Sequence, residues 1–120
     1  MAELCVKMGG RKATLAGLAG LGDLMVTCMS GYSRNRRAGL LIGEGLSARE
    51  AMQKVGAVVE GYYAAKAAKV LAEDMDVDMP ICLETYKVLY EDKLPQEALK
   101  DLMGRSRRSE QTTGEEIWVT

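Results

Sequence analysis

The chain has 120 residues, is 48% apolar and 28% charged, and balances 16 Lys+Arg against 17 Asp+Glu for a formal net charge of −1. That composition suits one soluble helical or mixed domain, and it excludes a global basic field that would draw nucleic acid or acidic lipid. Cys5, Cys28 and Cys82 are widely spaced with no C-x-x-C pair, which argues against a disulfide framework or a zinc site and fits a reducing cytoplasm. There is no histidine, so any proton transfer falls to Asp, Glu, Lys, Tyr or Cys.

In chain order, residues 2 to 8 read as a helix stopped by Gly9 and Gly10. No apolar run reaches the ~18 residues of a membrane span and no signal-peptide core opens the chain, so neither membrane insertion nor a targeting segment is expected. Gly17, Gly20 and Gly22 spell G-x-x-G-x-G rather than the dinucleotide fingerprint G-x-G-x-x-G, and no strand precedes them. They are read as positions of close backbone approach or of positive φ.

A helix is predicted from about Asp23 to Cys28. Asp after glycine and before Leu-Met-Val has the pattern of an N-cap, the favoured reading on the residues alone; its carboxylate, with Thr27 at i+4 on the same face, is also placed to meet a polyol. After the loop Met-Ser-Gly-Tyr, a helix from Ser33 to about Gly43 begins with Ser33, Arg34 and Asn35. A helix N-terminus offers free N–H groups and a positive dipole end, and Arg adds a planar fork matched to phosphate oxygens. The alternative is that Ser33 only caps while Arg34, Arg36 and Arg37 form a solvated basic face. Too few aromatic and basic residues are interleaved here for a nucleic-acid site.

Ser47-Ala48-Arg49-Glu50 forms a capping box for a short helix ending near Gly56. Val58-Val59-Glu60-Gly61 reads as a loop entering a helix that runs to Asp74, with Glu60 favourable in the first turn. On that helix Ala64, Ala68 and Leu71, beside Tyr63, Ala67 and Val70, form the expected packing face. Pro80 opens a helix through Tyr90, and Pro95 opens a last one whose Ala98, Leu99, Leu102 and Met103 make a stripe. Cys28, Cys82 and the methionines are read as core fillers. Residues 1–108 form one domain without a linker, and residues 109–120 are expected to be a mobile tail.

Several of these segments together carry a resemblance. GLAGLGDL, SRNRR, VVEG, and MPI followed by a Tyr-containing helix and VLYEDK resemble the C-terminal domain of bacterial NAD(P)-dependent glycerol-3-phosphate dehydrogenase, over roughly residues 2 to 108. The resemblance implies an all-α domain of about six helices, the substrate part of a two-domain enzyme whose dinucleotide-binding Rossmann half is not in this chain. It departs at Leu94, an N-cap place where the family usually has Ser or a similar capping residue.

The resemblance also implies roles. Asp23 would lie beside the substrate's hydroxyl-bearing carbons and a catalytic lysine, with Thr27 near it. Ser33, Arg34 and Asn35 would hold the phosphate of glycerol 3-phosphate or dihydroxyacetone phosphate, and Arg34, Val58 and Glu60 would contact NAD or NADP. The family's base is a lysine on an upstream helix; Lys7, Lys12 and Lys54 do not match it. No metal is implied, a homodimer and a cytoplasmic role in phospholipid precursor synthesis are, and this chain alone would be inactive. A non-catalytic helical interaction module is the rival reading.

Overall fold

Capping chemistry marks where the helices begin and end. Ser47 Oγ accepts from the Glu50 N–H, Glu50 returns a carboxylate to the Ser47 N–H at 2.9 Å, and the helix ends at Gly56 in the left-handed region at φ +72°. These bonds hold the Glu50 carboxyl below its ordinary range, the Ser47 hydroxyl contributing most. The computed structural model describes residues 1–106, and the expected tail lies outside them.

Among the described residues the chain is all-α, with no strand. The helices are α1 (Ala2–Lys7), α2 (Lys12–Ala16), α3 (Asp23–Met29), α4 (Arg34–Gly43), α5 (Ala48–Val55), α6 (Glu60–Asp74), α7 (Pro80–Tyr90) and α8 (Pro95–Met103). Most match the sequence reading to within a residue. Beyond the expected six or so, the structure adds α2 and a π-helical turn, Leu18–Gly22, closed by the Gly22 N–H on the Gly17 carbonyl at 3.2 Å. The glycines had obscured them. A β-carbon at Gly20 would stand 2.2 Å from the Leu15 carbonyl oxygen, so close backbone approach is its reason for being glycine. None of Gly17, Gly20 and Gly22 has a positive φ.

Helices α4 to α8 form a bundle in which α4 packs on α5 and α6, α6 on α7, and α7 on α8. Two small cores fill it. Ala38, Val55 and Val59 meet with Leu41 and Met52 at one end. Ala72, Val77 and Met79 meet at the other, where Leu4 of α1 and Cys82 join them. Lys7 secures that docking by donating to the carbonyls of Met75 and Asp76, at 2.6 and 2.7 Å. Asp76 adopts φ +49°, a conformation Asp tolerates better than most residues.

Two sequence expectations about packing faces need correction. On α6 the buried positions are Ala65 and Ala72, whereas Tyr63, Ala64, Ala67 and Val70 are exposed. The face is rotated because Gly61, Tyr62, Ala65 and Ala72 turn toward α4 and α7, a choice set by neighbours rather than by hydropathy along the helix. On α8 Ala98 is buried and Leu102 half-buried, but Leu99 and Met103 are exposed. The core-filler reading holds for Met52, Met75, Met79 and Cys82 and fails for Cys28, Met25 and Met29, all on the exposed α3.

One polar network knits α7 to α8. Glu84, buried on α7, accepts from Lys87 at 2.6 Å and from Lys93, which also reaches Asp101 at 2.6 Å. Asp92 at φ +53° makes the turn that brings Lys93 back over α7. Lys87 first, then Lys93, holds the Glu84 carboxyl below the ordinary 4.5, and Asp101 and Glu84 hold Lys93 above the ordinary 10.5.

The sign of the pH effect follows by linkage. Stabilisation from Glu84 is complete above 4.5 and is lost as pH falls through its lower folded value. That from Lys93 is complete below 10.5 and is lost as pH rises through its higher folded value. Glu84→Gln is therefore expected to lower Tm on the neutral plateau and flatten the acid limb, while Asp101 preserves part of the alkaline limb. Thermal melts followed by circular dichroism across pH check this; an unchanged acid limb would remove the network from the account of stability. Independently, Gly56→Ala forces a β-carbon into the left-handed region and is expected to cost about 1 kcal/mol, lowering Tm by roughly 4–8 °C.

Candidate functional site

Helix α4 starts where Ser33 leaves extended backbone and its Oγ accepts the Arg36 N–H at 3.3 Å. Arg34 and Asn35 are then the first two helical residues, beside the unsatisfied N–H groups and the positive end of a ten-residue helix. Arg34, Arg36 and Arg37 are exposed, and among the described residues none forms an ion pair.

Helix α6 starts differently. Its N-cap is Val59, which has no side-chain acceptor and is buried at 5% exposure in the α4–α5 core. The missing acceptor comes from the neighbouring helix, because Asn35 Oδ1 accepts the Gly61 N–H at 2.9 Å. The two helix starts, 26 residues apart along the chain, are thus held side by side, and Ser33, Arg34 and Asn35 share one surface region with the Val58–Gly61 segment. Val58, at 56% exposure, points away from the core that holds Val59, and Glu60 is exposed in the first turn of α6.

Behind this junction the tyrosines set the α6–α7 contact. The Tyr90 hydroxyl donates to the Tyr62 carbonyl at 2.7 Å, the Tyr62 and Tyr90 rings stack at 4.4 Å, and Tyr86 stacks on Tyr90 at 4.9 Å. Burial pushes the Tyr90 phenol above its ordinary value, with the Tyr62 contact adding to it. A mostly apolar cleft of about 350 Å³ runs between α4, α7 and α8, lined in part by Asn35, Gly39, Gly61, Thr85 and Ala98.

Asp23 and Thr27 are not drawn into this junction by any hydrogen bond. Both are exposed on α3, which packs substantially on the π-helical turn alone. Thr27 stands one turn beyond Asp23, as expected. The capping half of the Asp23 reading is corrected: the N-cap position is Gly22, in helical conformation at φ −61°, and Asp23 makes no cap bond. The chain enters α3 directly from the π-helical turn, so the preceding carbonyls are already in place for the first-turn N–H groups.

Sequence reasoning missed the Asn35–Gly61 bond and the Glu84–Lys93 pair. The first is invisible to local patterns because it spans two motifs, each explicable alone. The second had a signal in VLYEDK, a segment singled out without a physical role. Among the described residues no cluster of His, Cys, Asp and Glu could hold a metal ion, and no helix is long and apolar enough to cross a membrane.

Comparison with known proteins assigns the fold and motifs to one lineage. The family model for the NAD-dependent glycerol-3-phosphate dehydrogenase C-terminus matches residues 1–100. The chain belongs to this family. A glycerol-3-phosphate dehydrogenase [NAD(P)+] of Agathobacter rectalis is 53% identical over 110 residues, 92% of this chain and 33% of that protein. The namesake from Klebsiella pneumoniae is 44% identical over 113 residues. The crystal structure of glycerol-3-phosphate dehydrogenase from Coxiella burnetii superposes with a TM-score of 0.82 at 43% identity, covering 86% of this chain and 32% of that one. The chain spans about a third of the length of the curated relatives it matches.

Proposed function

We propose that this chain is the substrate-gripping part of an NAD(P)-dependent glycerol-3-phosphate dehydrogenase, which interconverts dihydroxyacetone phosphate and sn-glycerol 3-phosphate. The observation that carries the reading is the Asn35–Gly61 hydrogen bond, which puts the arginine-bearing start of α4 beside the exposed Val58–Glu60 edge. A phosphate at the first site and a dinucleotide along the second would then be neighbours, as transfer between them requires.

Each residue's part follows from its chemistry. Arg34 presents a bidentate fork, Ser33 and the α4 N–H groups add donors, and Asn35 adds its amide to the phosphate oxygens. Asp23, with Thr27, accepts hydrogen bonds from the hydroxyls of the three-carbon substrate and so orients its central carbon. Phosphate binding far from that carbon supplies the energy that holds it in place. Val58 gives an apolar contact and Glu60 an acceptor to NAD or NADP, which Arg34 also touches; the exposed, unobstructed edge fits a ligand held mainly by another part of the enzyme. The nicotinamide supplies or takes the hydride when bound. Lys7 is engaged with two carbonyls and is no candidate base.

The same reading brings a Rossmann domain as partner, a homodimer, a cytoplasmic setting and a place in phospholipid precursor synthesis. The free Cys5, Cys28 and Cys82 suit a reducing compartment.

Titration of glycerol 3-phosphate into the chain by calorimetry tests the site. Arg34→Lys keeps the charge but loses the fork, and is expected to weaken binding by about 1–3 kcal/mol. Arg36→Lys, two positions along the helix, should bind like the wild type, and glycerol should not distinguish the three proteins. Equal losses from both substitutions, or none, would make the cluster a solvated face. For the homodimer, the exposed Leu18, Val26 (72%) and Met29 (81%) should drive self-association and binding of a hydrophobic dye. Light scattering showing a monomer at high concentration that binds no dye would rule this out, and Val26→Asp with Met29→Asp should reduce both signals.

A further inference from the structure

Helix α6 lacks an N-cap side chain of its own, and the residue that replaces it belongs to the proposed phosphate site. Val59 precedes the helix and offers no acceptor; the Gly61 N–H, one of the four that an α-helix leaves unsatisfied at its start, finds Asn35 Oδ1 at 2.9 Å. A backbone N–H can only donate, so the atom facing Gly61 is the Asn35 carbonyl oxygen and the NH₂ group is turned from that bond. Among the described residues nothing accepts from Asn35 Nδ2, so both of its N–H donors are available to a ligand.

Gly61 leaves room for this arrangement and for nothing larger. A β-carbon there would lie 2.9 Å from Asn35 Oδ1, 3.0 Å from Cγ and 3.4 Å from Nδ2. The φ of Gly61 is not in the left-handed region, so backbone conformation alone does not call for glycine. The approach of the Asn35 amide does.

We infer that Gly61 is a positioning residue for the phosphate site: its N–H and its missing side chain together lock the Asn35 amide with the carbonyl inward and the NH₂ donors free for phosphate. The inference rests on the phosphate reading of the proposed function and extends it to a residue of the segment that faces the dinucleotide. Asn35 therefore caps α6 with one end of its amide and serves the anion with the other. A change at the start of α6 is transmitted to the phosphate site through a single side chain.

The test is a double-mutant cycle on the full 120-residue chain, with glycerol 3-phosphate as the probe and amide hydrogen exchange of residue 61 as the structural readout. Gly61→Ala and Asn35→Ala are each expected to weaken binding about ten- to a hundredfold, the scale of one hydrogen bond to a charged group, and the double variant no more than the worse single one. Asn35→Asp separates the two ends of the amide. It keeps the acceptor, so Gly61 should stay protected from exchange, yet it replaces the donors with negative charge and should abolish binding.

Additive losses, wild-type affinity in Gly61→Ala, or wild-type affinity in Asn35→Asp would each overturn the inference. A wild-type chain that binds no glycerol 3-phosphate would instead overturn the phosphate reading itself, and this inference with it. If Gly61→Ala does not fold, the contrast between protection and binding in Asn35→Asp decides the matter alone.

Discussion

The contact between the start of α4 and the start of α6 is the constraint on which the arrangement of this chain depends. Helix N-termini carry partial positive charge and unpaired donors, and two of them side by side repel unless something acceptor-bearing lies between. Asn35 supplies that acceptor. With Val59 buried just ahead of α6 and Ala38 buried one turn into α4, the junction is held by an apolar contact below and a polar one above. Without the polar part, α6 would begin with an unsatisfied N–H and the arginines of α4 would sit near a frayed turn.

The contact between α7 and α8 solves a different problem. Glu84 would be a costly buried carboxylate on its own, and two lysines and the left-handed turn at Asp92 convert it into a tie between α7, the following loop and α8. Arg105 extends the tie by pairing with Asp78 at 2.6 Å, which holds the end of α8 against the α6–α7 connection. The α7–α8 contact is thus braced by charge. Among the described residues the arginines at the start of α4 form no ion pair at all.

Much of this was legible in the amino-acid sequence, and for identifiable reasons. Ser33, Ser47, Gly56, Pro80 and Pro95 act within one helical turn, so their effect can be read without knowing the fold, and each does what its chemistry implies. The Ser33–Asn35 segment and the Val58–Glu60 segment were both visible as separate motifs. What joins them was not, because a side-chain bond across 26 residues leaves no local signature. The packing face of α6 was misjudged for the opposite reason: on an alanine-rich helix nearly every face is apolar, and only the neighbours select one. Asp23 looked like a cap because a π-helical turn ahead of it has no recognisable sequence pattern.

The way α1 is anchored bears on the order in which the chain assembles. Most contacts in the α4–α8 bundle join neighbours along the sequence, and contacts of that kind form early because little chain entropy is lost in making them. The Lys7 bond to Met75 spans 68 residues and can form only when the end of α6 has been built. Residues 8 to 33 are consequently a strap tied at both ends, and the contacts within it, between α2, the π-helical turn and α3, are as local as those of the bundle. The acid on that strap, Asp23, is therefore placed through the π-helical turn that α3 follows and packs against, at one remove from the bundle.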